Sequence, residues 1–218
     1  MNIDRSEIFK RHALLGVGES IQLNLITYLL VNHYLGKSGG ELNIEEPNIG
    51  NPPYIVVNGK RITLDLIASL SEYSVLTEYI DLQEQNSILE IGAGYARTAY
   101  VILKNQPHLK YFICDIPPAL YLAKTYLEKC FPEKRSAFIH SDMGREERDQ
   151  IIKDNDLLFL LPDLLEDIGE VDLFLAIDCL HEMKKEDVQF YLDAAERMAK
   201  YFYFKCWKDT VIPFDNIR

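Results

Sequence analysis

The stretch SILEIGAGYARTAY, residues 87–100, constrains this chain more than any other. A short apolar run leads through Glu90 to Gly92 and Gly94, and a helix-like segment continues from Arg97. A strand that feeds a helix through glycines is a turn on which nucleotide-type ligands sit, because glycine lets a ligand approach the backbone closely. The neighbouring residues then discriminate between ligands. A pyrophosphate turn has the pattern G-x-G-x-x-G, with the phosphates against the helix N-terminus. Here bulky Arg97 stands at the third-glycine position, and Glu90 brings a carboxylate to where a pyrophosphate would approach. The combination suits a cationic ligand better than a phosphate.

From Ser87 onward apolar runs alternate with amphipathic segments. SILEI reads as a strand and Arg97–Asn105 as its helix. YFICD (111–115) is a second strand, followed by a helix opening near Pro117-Pro118, where proline suits a first turn. DLLFLLP (156–162) and VDLFLAID (171–178) are two more apolar strands. Residues 185–200 read as a helix with Val188, Tyr191, Leu192, Ala195 and Met198 on its apolar face, and YFYFKCW (201–207) as a further strand. AFIHSD (137–142) reads equally as an extra strand or an extended loop. Continuously apolar strands separated by helices predict an α/β, Rossmann-like parallel sheet covered on both faces. Ligands bind such sheets at the carboxyl ends of the strands, where Glu90, Asp115, Asp163 and Asp178 fall. Asp115, about twenty residues past the glycines, stands where a carboxylate accepts ribose hydroxyls, or where it would simply cap the next helix.

The residues before Ser87 have another character. Residues 6–35 predict a helix, with apolar spacing at Ile21, Leu25, Tyr28 and Leu29, and residues 36–53 an irregular connector. YIVVNGKRIT places Asn58-Gly59 between two β-prone runs, the signature of a hairpin with a tight type I′ turn. Residues 63–80 predict a helix packing Leu64, Ile67, Leu70 and Val75. The reading is thus a mainly helical region over residues 1–86 and a sheet domain over 87–218.

A net charge of -11 without a basic stripe argues against nucleic acid as a partner. The longest apolar stretch, Ile21 to Tyr34, is interrupted by Gln22, Asn24 and Asn32 and is too short to span a bilayer. Cys114, Cys130, Cys179 and Cys206 form no CxxC pair and read as buried reduced thiols, so the expected location is cytoplasmic. No His or Cys pair has zinc-ligand spacing, and no metal is expected.

The order of these motifs resembles class I methyltransferases that use S-adenosyl-L-methionine, whose sulfonium and ammonium groups suit Glu90. The wording GNPPYIVVNGKRIT, LEIGAGYARTAY, CDIPPALYLAKTYL, IDCLHEM and YFYFKCWK is similar to a bacterial sugar O-methyltransferase family, from about Gly50 to Lys208. The resemblance implies a turn of Glu90, Gly92 and Gly94 under the methionine part of the cofactor, with Tyr95 and Arg97 beside it. It implies that Asp115 holds the ribose hydroxyls, that Ile116 lies on the adenine face, and that Pro162, Asp163 and Leu164 border the adenine. Asp178 would sit beside the transferable methyl, followed by His181 as general base, with Glu182 orienting it or replacing it. The implied acceptor is a hydroxyl of a sugar or sugar-containing small molecule. The N-terminal region would be a cover or a homodimer contact. Ala96 departs from many such turns, which have glycine there. The sheet of such enzymes also closes with two more strands, so the C-terminal end is expected to be incomplete. Two rival readings are a nicotinamide-dependent dehydrogenase and a non-catalytic module that binds S-adenosylmethionine.

Overall fold

In a computed structural model, residues 17–37 and 42–208 are described. The start of the first expected helix and the last residues, 209–218, lie outside them. The chain divides into two compact units, Met1–Ser71 and Glu72–Arg218.

The first unit holds helix α1 (Val17–Lys37) and a hairpin of β1 (Ile55–Val57) and β2 (Lys60–Ile62). Asn58 and Gly59 take φ of +51° and +77°, the two left-handed residues that a type I′ turn requires. The apolar positions of α1 do not form a buried stripe: Ile21, Leu25, Tyr28 and Leu29 are all more than half exposed. Helix α2 (Leu64–Tyr79) begins in this unit and ends in the second. Ile67 and Leu70 are buried as expected, together with Leu66 and Leu76.

The second unit is built on six parallel strands: β3 (Ser87–Ile91), β4 (Lys110–Cys114), β5 (Ser136–Phe138), β6 (Leu157–Leu160), β7 (Val171–Ile177) and β8 (Ala199–Lys205). They lie in the order β5-β6-β4-β3-β7-β8. The central strands are apolar on both faces because helices cover both, as the unbroken apolar runs required. Leu89, Ile91, Phe112, Leu158, Phe174 and Ala176 build one side of the core. Tyr111 and Phe159 are also fully buried. At the amino end, the Asp172 carboxylate accepts the Asn86 and Ser87 amide N–H groups at 2.7 and 3.1 Å, tying β7 to the start of β3.

The helices are α3 (Arg97–Asn105), α4 (Pro117–Cys130), α5 (Arg145–Asp154) and α6 (Lys185–Met198). Helix α4 opens on its proline pair. Helix α5 (REERDQIIKD) was not expected: none of its residues is fully buried, so no apolar stripe announces it. Glu146 and Glu147 in its first turn favour the helix through the macrodipole. The ambiguous segment is a three-residue edge strand, β5, running into a loop after Phe138. On α6 the buried residues are Tyr191, Ala194, Ala195 and Met198, and Leu192 is exposed. Tyr191, Ala195 and Met198 are thus buried as expected, and Ala194 joins them in place of Leu192. The expectation of four buried thiols is also corrected. Cys114 and Cys179 are buried and Cys130 half-buried, while Cys206, just past β8, is exposed.

Candidate functional site

From β3 the chain steps outward to β4, and it later returns to β7 on the other side of β3. The carboxyl ends of β3, β4 and β7 therefore frame the crevice at the sheet's switch point. Glu90, Asp115 and Asp178 all come to these ends, as expected from the sequence.

The turn after β3 is a backbone device. Gly92 has φ of +60° and donates its N–H to Cys114 O at 2.9 Å. A Cβ on Gly92 would lie 2.4 Å from the Cys179 Cβ, so only glycine fits. Gly94 has φ of +58°, but a Cβ there would meet nothing within 4 Å. The first glycine is thus demanded by packing inside the protein. The second is exposed, with open space over the turn. Ala96, the N-cap of α3, is buried with φ of +66°, so an alanine occupies a left-handed position that favours glycine.

Asp115 reaches across to this turn. Its Oδ2 accepts the Gly94 N–H at 2.8 Å and its Oδ1 accepts the Ile116 N–H at 2.7 Å. The N-cap of α4 is Ile116, so Asp115 braces the glycine turn rather than serving as that helix's cap residue. Each oxygen keeps lone-pair capacity for ligand hydroxyls. Burial raises the Asp115 carboxyl above its usual range, against the lowering effect of these two bonds. Ile116 itself is 63% exposed, an apolar surface beside the carboxylate.

Glu90 is 3% exposed and accepts a hydrogen bond from Tyr111 Oη at 2.7 Å. Burial pushes its carboxyl up to about 7; the Tyr111 bond partly opposes this and Asp115 adds to it. Near neutral pH Glu90 is poised between neutral and ionised, and a cation brought to the crevice favours the ionised form. Tyr111, on β4, is a partner that the sequence reading passed over.

Arg97 points elsewhere. The residue is 7% exposed, and its guanidinium lies 4.7 Å from the Tyr95 ring centroid and 5.1 Å from that of Tyr126. It donates to both hydroxyls at 2.9 Å. A buried charge needs partners of this kind, and these bonds and stacked rings account for why Arg97 can open a buried helix.

The remaining residues fall into two groups. After β6, Pro162 and Asp163 begin a 3₁₀ segment; Asp163 is exposed and Leu164 is buried in the core. After β7, Asp178 takes φ of +55° and is followed by Cys179 and a short turn, Leu180–Glu182. His181 packs against Trp207 with ring centroids 5.6 Å apart, and its Nδ1 is buried with no hydrogen-bond partner among the described residues. Its Nε2 lies 3.9 Å from Glu182 Oε1, beyond a hydrogen bond, and the Glu182 side chain is 71% exposed. Lys205, Glu72 and Tyr203 approach Asp178 as a group that no local motif signals.

No family model and no curated protein matches the chain. Among solved structures it is similar to an O-methyltransferase family protein from Burkholderia thailandensis, at 15% identity and a TM-score of 0.43, over 61% of this chain and 35% of that one. It is similar to the mitomycin 7-O-methyltransferase MmcR at 20% identity and a TM-score of 0.43, over 67% and 39% of the two chains. It is also similar to PigF, solved with SAH, at 16% identity and a TM-score of 0.40, over 62% and 37%. The chain spans well under half the length of each of these structures. What the crevice can bind rests on its own residues.

Proposed function

We propose that the crevice binds S-adenosyl-L-methionine and that the chain serves transfer of its methyl group to a hydroxyl of a sugar or sugar-containing acceptor. The observation that carries the cofactor reading is the exposed, left-handed Gly94 turn held by the Asp115 carboxylate, with the poised Glu90 at the end of the same strand. The ligand that suits this set has vicinal hydroxyls for Asp115 and a positive charge for Glu90. A dinucleotide suits it poorly, since its pyrophosphate would meet two acids, and Arg97 is turned inward to Tyr95 and Tyr126. The sugar acceptor rests on the sequence resemblance alone.

When bound, the cofactor supplies a methyl carbon activated by its sulfonium. The chain's contribution is placement, since an acceptor oxygen held in line with the carbon–sulfur bond reacts as part of one complex. Asp115 would hold the ribose hydroxyls, Glu90 would balance the positive end, and Ile116 with Pro162 and Asp163 would flank the base. A sugar hydroxyl must lose its proton as it attacks, and His181 is the candidate to take it, contributing on the order of 10²–10⁴-fold. At 3.9 Å Glu182 does not hold the imidazole directly, which leaves its part to be tested separately.

Calorimetric titration with S-adenosylhomocysteine and with NAD tests the cofactor; binding of NAD alone overturns the proposal. Gly94→Ala sharpens the test. Its methyl meets no protein atom, so stability falls only by the left-handed cost of about 1–2 kcal/mol. Affinity for S-adenosylhomocysteine is expected to fall by about tenfold or more. Methyl release over a panel of sugars separates an enzyme from a binding module, and His181→Gln with unchanged turnover would remove His181 from the mechanism.

A further inference from the structure

Asp178 is held from outside its own strand. Its N–H donates to Lys205 O at 2.8 Å, and its carboxylate meets Lys205 Nζ at 3.0 Å. The same ammonium meets Glu72 Oε1 at 2.6 Å, and Tyr203 Oη donates to Glu72 Oε2 at 2.6 Å. Tyr203 and Lys205 sit two apart on β8 and so face the same way, while Glu72 comes from α2. Burial, with Glu72 beside it, raises the Tyr203 phenol well above its usual range and keeps it a donor at neutral pH. One ammonium therefore bridges two carboxylates, and the Glu72 side chain is only 11% exposed.

The arrangement reaches the glycine turn through one residue. Cys179 follows Asp178, its Cβ fills the place a Gly92 side chain would need, and its Sγ contacts Ile91 O at 3.4 Å. A left-handed aspartate is uncommon and persists where its surroundings over-determine it. If Asp178 relaxes, Cys179 moves against the glycine turn.

We propose that Lys205, braced by Glu72 and Tyr203, is a positioning residue that fixes Asp178 and, through Cys179, the glycine turn of the cofactor crevice. The inference rests on the reading of that crevice as an S-adenosylmethionine site. The ion pairs of Lys205 run to Asp178 and Glu72, so it acts through Asp178, and a double-mutant cycle isolates that dependence.

The experiment measures S-adenosylhomocysteine affinity by calorimetry for the wild type, Lys205→Met, Asp178→Asn and the double variant, with thermal unfolding recorded for each. Asn tolerates the left-handed backbone, so Asp178→Asn removes the charge while keeping the turn. Lys205→Met is expected to weaken binding about tenfold alone and less than about twofold in the Asp178→Asn background. Lys205→Arg, which keeps the cation, is expected to stay within about threefold of wild type. Equal losses in both backgrounds, or wild-type affinity in Lys205→Met, overturn the inference and leave the cofactor reading standing. A wild type that binds no S-adenosylhomocysteine overturns both. Should Lys205→Met not fold, Glu72→Gln withdraws the brace more gently, with a loss of about threefold expected and no change counting against the proposal.

Discussion

The ends of β3 and β7 lie side by side and touch at Gly92 and Cys179, yet they are held by opposite means. The β3 end is a backbone structure, with glycines in left-handed conformations and an amide N–H given to Asp115. The β7 end is a side-chain structure, an aspartate in the same region of backbone space pinned by Lys205, which Glu72 and, behind it, Tyr203 brace in turn. The first arrangement is local and rigid because its constraints are steric. The second is assembled from distant parts of the chain and depends on charge. On the proposed positioning role of Lys205, the first wall of the crevice stays fixed while the second responds to substitution at a distance.

The comparison breaks most sharply at Gly92. Gly92→Ala adds a methyl inside Cys179 and imposes a left-handed alanine, so a loss of about 3–5 kcal/mol is expected in chemical denaturation. Adding Cys179→Gly to that variant opens the space and should return about half the loss. A single variant less than about 1 kcal/mol below wild type would show that packing does not demand this glycine.

Next in size is the titration of Glu90. Its folded carboxyl titrates near 7, well above the ordinary value of 4.5. The folded state therefore binds this proton more tightly than the unfolded chain does. The stabilising contribution is complete below pH 4.5 and is lost as pH rises through about 7. It amounts to roughly 3 kcal/mol as an order of magnitude. Glu90→Gln keeps an acceptor for Tyr111 and should remove that slope, so the variant gains on wild type between pH 5 and pH 8 in paired urea unfolding curves. If Glu90 faces the positive end of the ligand, wild-type affinity for S-adenosylmethionine rises with pH across the same window, and the variant's does not.

The smallest effect is expected at Ala96. Glycine there relieves a left-handed cost of about 1–2 kcal/mol. It also forfeits a buried methyl worth about 0.8 kcal/mol and adds chain entropy of about 0.5–1 kcal/mol. Ala96→Gly should therefore lie within about 1 kcal/mol of wild type by denaturant titration. A loss beyond about 2 kcal/mol would mean that the methyl carries packing on the scale of Gly92.

Much of the sheet was legible because its strands are short, wholly apolar and punctuated by helices. Helix α5 was not, since a charged helix on the surface has no apolar period to detect. Leu192 misled for a related reason: it is more apolar than Ala194, yet the small Ala194 is buried and Leu192 is exposed. At the site, Glu90, Gly92, Gly94 and Asp115 stood out because the turn's chemistry is written over a few consecutive residues and one strand end. Tyr111 was hidden in an apolar run, and Lys205 is a single charge within YFYFKCW whose partners lie far off in the chain.

By itself, then, the sequence determined a parallel sheet and a glycine turn flanked by acids, because alternation, apolarity and glycine act over neighbouring residues. Only the tertiary structure decided which glycine is demanded by packing and which faces open space. It alone buried Glu90 against Tyr111, turned Arg97 inward and brought Glu72, Tyr203 and Lys205 to Asp178. Those outcomes depend on desolvation and on distances between residues far apart in the chain, and neither quantity exists until the strands lie side by side.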